Sequence, residues 1–257
     1  SEGKVYPLTI RWLGARPDLR IEDAMTSAVL TAWREETGDL LAFLPGVGVI
    51  ERVAERIDGV SADIHLLHGS LDPADQRAAI RKGADRKVIL ATSIAETSLT
   101  LDGVRIVVDS GLARRARYDR AAGATRLVTE RVSQAAAIQR AGRAARQSPG
   151  VAYRLWEEAG TAGLMPFDPP EILEADLSPL LLDCAIWGVS DPASLCWLDA
   201  PPKAAMAEAR TRLVSLGAID ADGRPTAHGR AIAAIPLPTR LAHMLLRGNE
   251  AGMGAVA

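Results

Sequence analysis

Five short apolar runs, at residues 39–44, 64–67, 87–91, 104–108 and 151–155, are separated by stretches with helical spacing or by turn residues. A strand with apolar residues at every position, rather than at alternate ones, is expected where both faces of a sheet are covered. Between the first two runs, Pro45 and Gly46 break the chain and Val49, Val53 and Ile57 then mark a helix. Before the third, Asp72 and Pro73 have the form of a helix cap followed by proline in the first turn. Strands alternating with helices at this interval predict an α/β domain built on a parallel sheet. Segments 116–119 and 125–128 flank Arg120 to Gly123 as a β-hairpin, and a helix is expected over 134–145, closed by Ser148, Pro149 and Gly150.

The pattern changes after Pro166. A leucine-rich helix is expected from Glu171 to Gly188. A second carries Met206, Ala209, Leu213 and Leu216 on one stripe and stops at Gly217. A tight turn at 220–223 and a short helix near 227–234 complete the order of a winged-helix module. The expected organisation is a lead-in segment at 1–20, an α/β domain at 21–166, a small, mostly helical winged-helix domain at 167–235, and the start of a further helical domain at 236–257.

No apolar run reaches the roughly 20 residues needed to span a bilayer, and no basic-then-apolar leader opens the chain. Cys184 and Cys196 sit among apolar residues and are expected to be reduced core residues, which fits a cytoplasmic protein. The four histidines and two cysteines have no metal-ligand spacing, so no metal site is expected. Net charge is only −2, yet nine arginines fall between 114 and 146 against two acids, Asp119 and Glu130. That clustering favours a surface facing polyphosphate over a chance preference for arginine as the cation.

Within the cluster, residues 139–146 read QRAGRAAR. On a continuous helix Gln139, Arg143 and Arg146 fall at i, i+4 and i+7, on one stripe. Planar guanidinium groups match phosphate oxygens in geometry and charge. Gly142 and the alanines at 141, 144 and 145 suit close approach by a neighbouring domain. Alone, this would be better read as an arginine-rich surface helix with an alanine inner side. Residues 91–103, ATSIAETSLTLDG, follow a predicted strand directly, and strand ends are where ligands bind in such sheets. Their hydroxyls and amides suit a nucleic-acid backbone, although a Ser/Thr-rich turn also serves as an ordinary helix cap.

Taken together, FLPG at 43–46, LHGSL at 67–71, ATSIAETS at 91–98 and QRAGRAAR at 139–146 are similar to motifs of the C-terminal RecA-like domain of the DEAH/RHA group of superfamily 2 helicases. Residues 44–48 and 187–192 most resemble the bacterial HrpB-type members, and 170–173 and 198–202 the group's winged-helix domain. The resemblance runs from about residue 20 onward. It implies that Gln139, Arg143 and Arg146 meet the γ-phosphate, the two arginines as fingers. It puts Ser98, Thr100 and Asp102 near the nucleotide, and Ile80 where many relatives set a phenylalanine against adenine. Weak base discrimination is therefore expected. Thr92 matches a residue touching the RNA backbone, and Ser93, His68, Gly69 and Arg117 are grouped with it as nucleic-acid contacts. Ser93 replaces a usual asparagine and Ala145 a usual glycine.

No Gly-x-x-x-x-Gly-Lys-Ser/Thr run and no Asp-Glu-x-His box occurs in the chain. The resemblance implies that ATP and Mg²⁺ bind on an N-terminal RecA-like domain, and that the whole protein moves 3′ to 5′ on single-stranded RNA. A DNA-preferring motor of the same architecture, or a non-catalytic nucleic-acid or protein-binding module, are the alternatives. The hairpin at 116–128 is expected to be either a strand-separating wedge or a solvated connection. Trp156, Trp187 and Trp197 are expected in a core or a domain interface.

Overall fold

The computed structural model describes residues 6–81, 83, 85–96, 99, 101–120, 122–189 and 191–252. Contacts divide the chain into two units: residues 1–115 with 127–168, and residues 116–126 with 169–257.

The first unit is built on a six-stranded sheet whose neighbours all pair in parallel. Its strands are β1 (Leu8–Trp12), β2 (Asp39–Phe43), β3 (Asp63–Leu67), β4 (Lys87–Ala91), β5 (Val104–Asp109) and β8 (Gly150–Arg154), in the order β1-β8-β5-β2-β4-β3. The continuous apolar runs of β2 and β4 are explained by cover on both faces. On one face α1 (Ile21–Glu35) and α2 (Val47–Ile57) set Met25, Val29, Ile50 and Val53 against Leu40, Val88 and Ile106. On the other, α3 (Pro73–Ile80) and α4 (Gln134–Gly142) set Ala79 and Ala141 against Leu41, Ile89 and Val107. Successive residues point to opposite faces, so each run divides cleanly between the two clusters.

The lead-in segment and the helix after Pro166 depart from expectation. The lead-in segment contains β1, which pairs with β8 from Leu8 opposite Gly150 to Trp12 opposite Arg154. Its Leu8, Ile10 and Trp12 do alternate, but a five-residue edge strand interleaved with Thr9 and Arg11 gives little signal beside a following Gly, Pro and Arg stretch. The single helix expected over 171–188 is interrupted. A 3-10 turn at Glu171–Leu173 precedes α5 (Ser178–Ile186), whose start is fixed when Asp176 Oδ1 accepts from Ser178 N and Oγ at 3.0 and 2.7 Å.

The second unit packs α5, α6 (Lys203–Ser215), α7 (Ala227–Ala233) and α8 (Thr239–Glu250) around Leu181, Leu182, Ala209, Leu213, Ile219 and Ile232. Thr226 caps α7 by accepting from Gly229 N at 2.9 Å. Residues 220–223 form the expected turn, closed by an antiparallel bridge between Ile219 and Pro225. Strands β6 (Leu112–Asp119) and β7 (Ala124–Arg131) form the expected hairpin, and its tip belongs to this unit. Arg117 pairs with Glu174, Arg120 Nη1 lies 3.2 Å from Glu208 Oε1, and Arg240 Nη1 donates to Ala122 O at 3.2 Å. The Arg212 guanidinium stands 5.2 Å over the Tyr118 ring. The tip is thus bonded to side chains of the helical unit, while β7 is exposed along nearly its whole length.

Cys184 is buried as expected, but Cys196 is exposed. Trp156 packs edge-on to Trp12 with ring centroids 5.8 Å apart, whereas Trp187 is 85% exposed and fills no core within its unit. Among the described residues, no helix is long and apolar enough to cross a membrane.

Candidate functional site

Ser133 starts α4 by accepting from Ala136 N at 3.1 Å. The helix closes three residues earlier than its sequence suggests. After Gly142, the amides of Arg143, Ala144 and Ala145 donate to the carbonyls of Arg140, Ala141 and Gly142 at 3.1, 3.1 and 3.2 Å. This tightening to three-residue spacing ends the stripe expected for Gln139, Arg143 and Arg146. Gln139 and Arg146 are exposed, whereas Arg143 is only 6% exposed. Its Nε donates to Glu96 O at 2.9 Å and its Nη1 to Leu99 O at 2.6 Å. Burial lowers the Arg143 pKa, Arg146's charge lowers it further, and Glu96 opposes both. A guanidinium so placed remains a cation at neutral pH. Ala141 and Ala144 are spent on the domain's own core rather than on a neighbour, while Gly142 is exposed with open space where a Cβ would stand.

The residue that organises this region is Arg140, which is not among the residues expected from the motifs. It is fully buried. Its Nε donates to Glu96 Oε1 at 2.8 Å, and its Nη1 donates to Asp109 Oδ1 at 2.8 Å and Leu112 O at 3.1 Å. Its guanidinium carbon sits 4.9 Å from the Phe43 ring centroid. Burial on its own would lower the Arg140 pKa, but Asp109 and Glu96 outweigh it and the pKa is raised. Sheet register brings the partners together, because Phe43 lies opposite Asp109, and Asp109 opposite Arg154. One side chain therefore joins the end of β2, the end of β5, the loop after β4 and the start of the hairpin to α4. The sequence does hold a signal for it: Arg140 shares the inner face of α4 with Ala136, Ala137 and Ala141, where a cation requires buried acids.

The other predicted residues fall into two groups on this unit. His68 and Gly69 follow β3, and Thr92 and Ser93 follow the adjacent β4, at strand ends where Leu67 registers with Ala91. His68 is buried, with Nδ1 2.9 Å from Ser70 Oγ, and Thr92 N donates to Leu67 O at 3.1 Å. Gly69 and Ser93 are exposed. Ile80 and Asp102 belong to the opposite end of the strands. Ile80 ends α3 and packs, half-buried, on the cluster that contains Leu101, Ala141 and Ala144. Asp102 is exposed just before β5 and accepts from Gln147 Nε2, one residue beyond Arg146. Residues 92–102 thus connect the end of β4 to the start of β5, with Arg143 bonded midway. Ser98 and Thr100 lie outside the described residues. Arg117 belongs to the other unit, where its charge is held by Glu174.

A cavity of about 580 Å³, lined by residues such as Leu13, Ala24, Ser110 and Trp156, includes none of the predicted site residues. Its wall is largely apolar, with Arg16, Arg131 and Glu157 among its lining. Among the described residues, no group of three or more His, Cys, Asp or Glu is placed to hold a metal ion.

Residues 22–148 match the helicase conserved C-terminal domain. The chain is 44% identical to ATP-dependent RNA helicase HrpB of Escherichia coli, over 100% of this chain and 32% of that protein. It is 34% identical to the probable ATP-dependent RNA helicase DHR2 of Saccharomyces cerevisiae, over 98% of this chain and 36% of that one. A crystal structure of the Escherichia coli DEAH/RHA helicase HrpB matches with a TM-score of 0.87 and 44% identity, covering 95% of this chain and 32% of that chain. The chain therefore spans about a third of the length of these relatives. With its ordered motifs, its parallel sheet and these likenesses, the chain belongs to the DEAH/RHA helicases and carries their helicase conserved C-terminal domain.

Proposed function

We propose that this chain is the part of an ATP-dependent RNA helicase that supplies arginine fingers to ATP and backbone contacts to single-stranded RNA. The observation that carries this is the pair of hydrogen bonds from Arg143 to the carbonyls of Glu96 and Leu99. They tie the finger turn to the segment whose other end, Thr92 and Ser93, follows β4. A change of nucleotide state felt at residues 143–146 therefore has a short covalent and hydrogen-bonded route to the RNA side.

In this reading Arg146 and Gln139, both exposed, reach the γ-phosphate, and Arg143, bonded to the carbonyls of Glu96 and Leu99, joins them only by turning outward from those carbonyls. Their donors neutralise charge on the transferring phosphoryl group, an effect worth about 1,000- to 100,000-fold in rate for a finger arginine. Asp102, Ser98 and Thr100 border the nucleotide, and Ile80 offers its base an apolar contact. Thr92, Ser93, His68 and Gly69 hold the RNA backbone. Arg117, paired with Glu174, would join that grip only by leaving its partner. ATP and Mg²⁺ are held chiefly by an N-terminal RecA-like domain, since this chain has no phosphate-binding loop. The site of action is the cytoplasm.

The reading is tested by ATPase assays on the full-length protein and on the 257-residue chain, each with single-stranded RNA and with DNA. Hydrolysis stimulated by RNA in the full-length protein only is expected. Robust turnover by the chain alone would overturn it, and stronger stimulation by DNA than by RNA would favour the DNA-preferring motor.

A further inference from the structure

The side chain of Lys87 is unused by the proposed function, and it is one of the least accessible polar groups in the protein, at 2% exposed. Lys87 opens β4 and shares its inward face with Ile89 and Ala91, the face covered by α3. A lysine is rarely placed there, because its ammonium loses water and must be satisfied by protein groups. Here Nζ donates to Ala79 O at 2.9 Å and to Arg81 O at 2.6 Å. Those two carbonyls flank Ile80. One belongs to the peptide bond entering residue 80, and the other to the peptide group just after Arg81. The backbone around Ile80 is therefore pinned on both sides by a single cation.

What else holds α3 makes the tether significant. Of its eight residues, all described, only Ala79 is buried. The helix ends at Ile80 as Arg81 turns extended, with Arg81 N donating to Arg77 O at 2.9 Å. Cations favour the carbonyl end of a helix, but surface residues usually supply them. Lys87 comes instead from a strand whose own backbone is fixed. It is in register with Asp63, and its N–H donates to Asp39 Oδ1 at 3.1 Å. The position of Ile80 relative to the sheet is thus set from within the sheet itself.

We propose that Lys87 is a positioning residue for the nucleotide base, fixing the height and angle at which Ile80 meets it. This rests on the reading of Ile80 as the base contact. The test uses the full-length protein carrying Lys87→Met, which keeps the length of the stem and removes the donors. The KM for ATP should rise about 3- to 10-fold, the scale of one lost hydrogen-bonded restraint, with kcat nearly unchanged. Ribose 5′-triphosphate, which has the same sugar and phosphates without a base, should show no change in KM. In an Ile80→Ala background, Lys87→Met should add nothing to the KM for ATP.

Circular dichroism and thermal melting check that the variant is folded. If Lys87→Met does not fold, Lys87→Leu, with a shorter stem and no donor, takes its place with the same expectation. An unchanged KM for ATP, or an equal rise for the baseless triphosphate, overturns the role of Lys87. If Ile80→Ala raises the KM while the Lys87 variant does not, the inference fails and the base contact stands. If Ile80→Ala leaves the KM for ATP unchanged, the base contact fails and takes the inference with it.

Discussion

Three arginines within seven residues have three different duties, set by where α4 stops. Arg140 is held by Glu96 and Asp109 inside the domain, Arg143 is bonded to loop carbonyls, and Arg146 is exposed. Removing one partner from a buried ion pair leaves the others uncompensated, at a cost of about 3–5 kcal/mol. Arg140→Met is therefore expected to lower unfolding stability by that order in urea titration, whereas Arg146→Ala should change it by less than about 0.5 kcal/mol. Similar losses from both substitutions would contradict the assignment. The sequence carries the residue types here but not their directions. Helical spacing puts residues 139, 143 and 146 on one stripe, and only the tightened turn after Gly142 shows that the middle one faces inward.

At the scale of elements, the finger turn is held where it is by the strand that follows. A Cβ on Gly150 would stand 2.1 Å from Ala144 O, so the first residue of β8 must be glycine for the turn to pack there. Gly150→Ala should cost about 1–3 kcal/mol through overpacking and lower ATPase activity in the full-length protein, measured as melting temperature and kcat. Unchanged values for both would mean that the turn is freely displaced. The ending of the first unit is also chemically marked. Asp168 pairs with Arg115, and although burial alone would raise its pKa, Arg115 and Ser133 hold it below its ordinary 3.8. A lowered carboxylate adds stability above its unfolded pKa and loses it as pH falls through the folded value. The stability difference between wild type and Asp168→Asn is therefore expected to shrink between about pH 5 and pH 2, and a gap constant across that range would contradict it. The five buried strands were legible because each apolar run is too short for a buried helix and is bounded by turn residues or helical stretches, which decides for a strand covered on both faces. β1 was not, since five alternating residues at a sheet edge resemble an irregular lead-in.

At the scale of the molecule, the parallel sheet brings separated motifs into two groups. Residues after β3 and β4 form the expected RNA side, while Ile80, Asp102 and the finger turn gather at the other end of the strands. That separation was not readable from motif spacing alone; it follows from strand order and from α3 and α4 covering one face. The helical unit was legible in order, and less so in detail. Its hairpin tip is bound through Arg117, Arg120 and Arg240, and charge clustering had pointed the first two toward phosphate. Composition could not distinguish an arginine paired with Glu174 or Glu208 from one facing nucleic acid, because the partners lie 57 and 88 residues away in sequence. In the proposed function, Arg146, exposed in the turn beyond α4, completes an ATP site supplied by another domain. The most direct measurement is the RNA-stimulated ATPase kcat of the full-length protein with Arg146→Ala, alongside its affinity for single-stranded RNA without nucleotide. A loss of about 1,000-fold or more in kcat with RNA affinity unchanged is the predicted result; a kcat close to wild type would contradict it.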